Sequence, residues 1–161
     1  MNPPIFSLLA GCEKVTDILK NGVQVNIIPI TVDSTHISAD ATLFTADVIS
    51  RKISVIDPNS DGIVRAYQFG VAPEEPVLPY LTWQGVGGSP FNNLDDRPSG
   101  DRTLTQIDIY DTQSDRIYDL AKAVRYAIEL ECNVTAFRDL SKDAATGVYH
   151  IGIDVMFVLP N

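Results

Sequence analysis

Leu78-Pro-Tyr-Leu-Thr-Trp-Gln84, then Gly85-Val-Gly-Gly-Ser-Pro-Phe-Asn-Asn-Leu-Asp-Asp-Arg-Pro-Ser-Gly-Asp101, then Leu104-Thr-Gln-Ile-Asp-Ile-Tyr110, decides how the chain folds. The first run is rich in β-formers. In the third, Ile107 and Ile109 alternate with Gln106 and Asp108, as on a strand with one buried face. Residues 113–131 follow with a helical stripe of Ile117, Leu120, Ala121, Val124 and Ile128, and Thr112-Gln-Ser-Asp115 fits a capping-box start. The order is strand, long polar loop, strand, helix.

The loop at 87–101 is longer than ordinary connections, and such loops tend to bind something or to be disordered. It carries Asn92, Asn93, Asp95, Asp96, Arg97 and Asp101. Gly85-Val-Gly-Gly-Ser-Pro lacks the spacing, the lysine and the following helix of a phosphate loop. No nucleophile or base is set against the carboxylates, so they read as solvated loop charge.

Working outward, Tyr149, Ile151, Ile153, Val155 and Phe157 alternate with His150, Gly152, Asp154 and Met156 in the clearest strand of the chain. With 134–140 it makes a closing hairpin, looped at 141–147. His150 falls on the non-core face near Asp154 and reads as a surface pair. Tyr80 and Trp83 read as core or interface residues.

Toward the start, residues 3–20 read as helix, capped by Asn2, with Pro3 in the first turn, a split at Gly11 and a stop at Asn21-Gly22. Residues 23–57 then turn β-branched. Two or three strands are expected there, as a β-arm holding Ile28, Ile30, Phe44 and Ile53, with turns at Asp33-Ser-Thr and Ser38-Ala-Asp. Pro29 marks an edge or a bulge. The arm has few residues for a core of its own, so it needs a neighbour, either the main sheet or another subunit. Asp57-Pro-Asn-Ser-Asp-Gly62 matches half of an EF-hand loop, but Gln68 stands where the closing Glu belongs, and a turn is expected.

The fold class expected is α+β: a mostly antiparallel sheet from 64–70, 78–86, 103–110, 134–140 and 148–159, with helices 3–20 and 113–131 on one face and the arm inserted in a single domain. At 161 residues such a chain buries about 70% of its unfolded surface and needs no staples. A composition of 45% hydrophobic and 20% charged residues is globular. The formal charge of −9 argues against a phosphate-gripping surface. It does not exclude proximity to DNA, because an acidic channel wall repels DNA and lets it slide. No apolar run approaches a membrane span, and the start, Met1-Asn-Pro-Pro, does not resemble an export signal. Cys12 and Cys132 read as buried thiols of a reducing compartment, and two Cys with two His lack zinc-ligand spacing.

Pro4-Ile-Phe-Ser-Leu-Leu and Val15-Thr-Asp-Ile-Leu, Pro79-Tyr-Leu-Thr-Trp-Gln, Ser89-Pro-Phe-Asn-Asn-Leu-Asp-Asp, Arg102-Thr-Leu-Thr-Gln-Ile-Asp-Ile-Tyr, Leu120-Ala-Lys-Ala-Val-Arg and residues 143–149 together resemble the tail-completion, or tail-terminator, proteins of long-tailed bacteriophages. The resemblance covers 3–20 and 64–159; residues 23–57 stand where the family pattern is short. It implies a non-enzymatic virion protein assembled in the host cytoplasm. Such proteins form a hexameric ring that ends tail-tube polymerisation at the head-proximal end and meets the head connector or head-completion protein, with the genome passing through. It implies no catalytic residues, no cofactor and no membrane. Expected contacts to ring neighbours or tube are Asn92, Asn93, Asp95, Asp96, Arg97 and Asp101 in the loop, and Ile28, Ile30, Phe44 and Ile53 in the arm. Alternatives are another neck or minor tail protein, or a small cytoplasmic enzyme or ligand-binding domain using Asp95, Asp96, Asp101 and His150.

Overall fold

The computed structural model describes residues 3–21, 24–28, 51–55 and 63–160. Its elements are α1 (Ile5–Ala10), α2 (Glu13–Asn21), β1 (Gln24–Ile28), β2 (Arg51–Val55), β3 (Ala66–Gln68), β4 (Tyr80–Pro90), β5 (Gly100–Asp111), α3 (Ser114–Ile128), β6 (Asn133–Phe137), β7 (Ser141–Lys142) and β8 (Tyr149–Pro160). The fold is α+β. Six strands form one mixed, mostly antiparallel sheet in the order β3-β4-β5-β8-β6, with β7 also paired to β8. Only β3 runs parallel to its neighbour, β4.

The core lies between this sheet and the helices. Leu81 of β4, Ile107 and Ile109 of β5, and Ile151, Ile153, Val155 and Phe157 of β8 are buried there. From the helical layer come Ile5, Leu9, Val15 and Leu19, with Ile117, Leu120, Val124 and Ile128 along one stripe of α3. Two-residue alternation meets 3.6-residue periodicity, which is the pattern read from the sequence. The first helix splits at Gly11, as expected, where a Cβ would stand 3.1 Å from the Ser7 carbonyl.

Several expectations are corrected. The first helix begins at Ile5 after Pro4, whose ψ of 42° is not helical, so Pro3 lies outside its first turn. Asn2 lies outside the described residues. The 64–70 strand shrinks to three residues. The expected loop 87–101 is largely strand: β4 continues to Pro90, and only 91–99 turn the corner. Glycine and proline hide that strand from a propensity reading, yet β5 supplies its pairing, with a register shift between Gly85 and Gly87. The closing hairpin is interrupted, since 138–140 separate β6 from β7.

The capping box is not formed, because no side chain caps α3 at Gln113. Asp111 takes that place by accepting the backbone N–H of Thr112 at 2.6 Å and of Gln113 at 3.2 Å. Both cysteines are partly rather than fully buried.

In the expected arm, β1 and β2 pair antiparallel from Gln24 opposite Val55 to Ile28 opposite Arg51. Ile28 and Ile53 lie in these strands. Ile30, Phe44, Pro29, both expected turns and the calcium-like run 57–62 lie outside the described residues.

Candidate functional site

The helices cover one sheet face; Tyr80, Thr82 and Gln84 of β4 and the even-numbered residues of β5 and β8 form the other, and past the bulge β4 turns Gly87 and Ser89 to it. Tyr80, Tyr110 and His150 stand opposite one another across the three strands. Their rings stack at 4.8 Å and 5.0 Å, and Tyr67 extends the row at 6.4 Å from Tyr80. Beside the row, Asp108 is buried although no helix lies over it. His150 Nε2 lies 2.8 Å from its Oδ1, and Gln106 donates to both carboxylate oxygens at 2.9 and 2.8 Å.

The partner of His150 is therefore Asp108, not Asp154. Four residues along a strand span roughly 13 Å, whereas a diagonal cross-strand neighbour is within reach. Asp154 pairs instead with Arg138 at 3.3 Å. Arg138 can lie flat there because position 152 is glycine: a Cβ would meet its Cδ at 2.8 Å.

Ser141 Oγ stands 3.4 Å from His150 Nδ1, so Ser141, His150 and Asp108 follow one another as in a nucleophile relay. The geometry does not support one. The Ser–His distance is long for an O–H···N bond, and Ser141 is exposed on a two-residue strand. The adjoining concavity of about 410 Å³, lined by Tyr80, Tyr110, Lys142 and Thr146, is open to solvent. Burial pushes the Tyr80 hydroxyl above its ordinary pKa. Burial does the same to Tyr110, helped by the charge of Asp108, so neither phenol supplies a base near neutrality. Asp101 is seven residues from Asp108 on β5, roughly 23 Å away, so the expected carboxylates and His150 are not brought together. Among the described residues no group of three His, Cys, Asp or Glu is placed to hold a metal.

What this end of the molecule offers is surface. Beyond Thr105, β4, β5 and β8 run on as three paired strands, with the β4–β5 turn at the tip. Asn92, Asn93, Asp95, Asp96 and Arg97 are exposed on that turn, and Asp101 is half-buried on β5. The turn is locally tied: Phe91 N–H donates to the Gly100 carbonyl at 2.9 Å, Asn93 Nδ2 to the Arg97 carbonyl at 3.2 Å, and Arg97 N–H to Asp96 Oδ1 at 2.7 Å. Leu94, at its apex, has a relative exposure of 104%. The uncovered face changes character here, from polar to apolar, with Leu104 and Val158 exposed and Arg102 lying 4.5 Å from the Phe91 ring. Sequence reasoning passed over these apolar residues. The signal lay in the last strand, where Met156 and Val158 occupy non-core positions.

This three-stranded end also has two open edges. Among the described residues, β3 pairs β4 only at 81–83 and β6 pairs β8 only at 153–156, so the outer edges of 84–90 and 157–160 carry no strand.

Residues 58–159 match the family model described as "Tail completion protein gp17". The match leaves out the first helices and the strands β1 and β2. No curated protein matches the sequence. Among solved structures, the chain is similar to one from the "Virion of native gene transfer agent (GTA) particle", with a TM-score of 0.44 and 11% identity, over 60% of this chain and 79% of that one.

Proposed function

The chain belongs to the tail completion protein gp17 family, non-enzymatic structural components of phage-like virions, and from that premise we propose that it forms a ring closing the tail tube. In this reading copies join into a homo-oligomer, six to a ring. The ring ends polymerisation of the tube protein and presents its other side to the head connector or head-completion protein. The genome passes through the centre, and the protein sits at the head-proximal end of the tail.

The observation that carries the reading is the pair of edges left open among the described residues, 84–90 on β4 and 157–160 on β8. Unpaired strand edges invite pairing with another chain. Two different edges on opposite sides of one sheet make a head-to-tail contact, and such contacts close into rings when the rotation permits. The charge of −9 suits a lumen that DNA traverses without sticking. We read 23–57 as an insertion into a single domain, available for a contact with a ring neighbour or the tube.

The test is to add the purified protein to polymerising tail-tube protein and measure tube lengths by electron microscopy. Capping gives shorter tubes with one blunt, decorated end. Unchanged lengths and bare ends would refute it, and binding to a connector but not to tubes would favour another neck protein.

A further inference from the structure

A second surface suits the hairpin turn. Between α3 and the segment from β6 to β7 lies a groove of about 270 Å³. Its apolar lining includes Tyr118, Phe137 and Leu140, and its rim carries Lys122 and Arg125, with Asp139 the one acid among the lining residues; the Arg138 side chain runs across Gly152 to the other face of the sheet. That volume is small for a metabolite site, which spans about 300–1,000 Å³, and suits a side chain. Phe137 is 54% exposed, and the Arg125 guanidinium lies 5.4 Å from its ring centre. Two cations, Lys122 and Arg125, stand on the α3 side of the groove, in a chain with 12 Lys and Arg against 21 Asp and Glu.

Each cation has an intrachain partner. Lys122 meets Asp119 at 3.7 Å, and Arg125 meets Glu129 at 3.1 Å. These pairs are exposed and contribute little, so exchanging them for an incoming carboxylate costs little.

The turn of the hairpin is the complementary shape and charge. Its apex presents a fully exposed leucine followed by two aspartates, Leu94-Asp95-Asp96, on a turn already held by its own hydrogen bonds. A tied turn loses little entropy when it docks. The groove lies on the β6 side of the sheet, and the turn joins β4 to β5 on the other side. Two such different patches make a heterologous contact.

We infer that Leu94-Asp95-Asp96 of one copy inserts into the groove bounded by α3 and the β6–β7 segment of a second copy, Leu94 filling the apolar floor and the aspartates meeting Lys122 and Arg125. The inference rests on the ring reading and names a contact between neighbours besides the strand edges. Added salt weakens it, because its rim is ionic.

The test uses the full chain and its self-association, measured by sedimentation with and without tail tubes. Leu94→Ala is expected to weaken association about tenfold or more, from the apolar area left unburied. Asp95→Arg with Asp96→Arg, and separately Lys122→Glu with Arg125→Glu, should each break it. The four substitutions in one chain should restore it. Association at the wild-type level in the groove variant overturns the docking and leaves the ring standing. Loss of tube binding with self-association intact assigns the groove to the tube protein and also overturns it. A wild-type chain that stays monomeric even with tubes removes the ring reading, and the docking with it.

Discussion

Arg116 grips the carboxylate of Asp111 at two points, Nε to Oδ2 and Nη2 to Oδ1, each at 2.6 Å. Asp111 ends β5 and is wholly buried, and Arg116 lies in the first turn of α3. The same carboxylate accepts two backbone N–H groups at the start of the helix. One buried ion pair thus fixes the angle at which the helical layer leaves the sheet. Arg116→Ala strands a buried charge and should cost about 3–5 kcal/mol in urea unfolding. Asp111→Ala combined with Arg116→Ala should cost less than the sum of the two single variants, since neither charge is then left alone.

Thr105 carries a buried hydroxyl on the helix-covered face of β5 that finds no hydrogen-bond partner among the described residues. Leaving such a group unsatisfied costs about 1–3 kcal/mol. Thr105→Val keeps the shape and removes the hydroxyl, so its unfolding midpoint in urea should equal or exceed that of the wild type. A clear loss would mean the hydroxyl is satisfied.

Gly88 faces the Arg102 backbone across the hairpin, where a Cβ would stand 2.6 Å from the carbonyl oxygen. Backbone cannot step aside as a side chain can. Gly88→Ala should therefore loosen the hairpin, speeding amide exchange at 101–104 while leaving exchange in α3 unchanged. Gly87→Ala, with nothing within 4 Å of its Cβ, is the matched control and should change little.

Burial pushes the Cys132 thiol up to about 11, with the charge of Glu131 adding to it. A folded pKa raised above the unfolded one means stability that is complete below the unfolded value and is lost as pH rises through the folded value. The contribution should disappear between about pH 8.5 and about pH 11. At pH 8 the folded chain should be alkylated at Cys132 on the order of a hundredfold more slowly than the unfolded chain, as read by mass spectrometry.

Much of the fold was legible because burial leaves period-two and period-3.6 stripes. Ile107 and Ile109, the odd residues of β8 and the α3 stripe were readable, and so was the break at Gly11. The distal half of β4 was not, because Gly87, Gly88 and Pro90 have loop propensities and only the pairing with β5 makes them strand. The His150–Asp108 pair joins residues 42 apart, and spacing along one strand gives no hint of it. The acidic turn was recognised as an exposed surface, but Leu94 and the cationic groove across the sheet are matched only in three dimensions.

The most direct measurement is the mass of the purified protein by light scattering, followed by negative-stain imaging with and without tail tubes. The account predicts rings, or a cap at one end of each tube. A protein that stays strictly monomeric at high concentration and leaves both tube ends bare would contradict it.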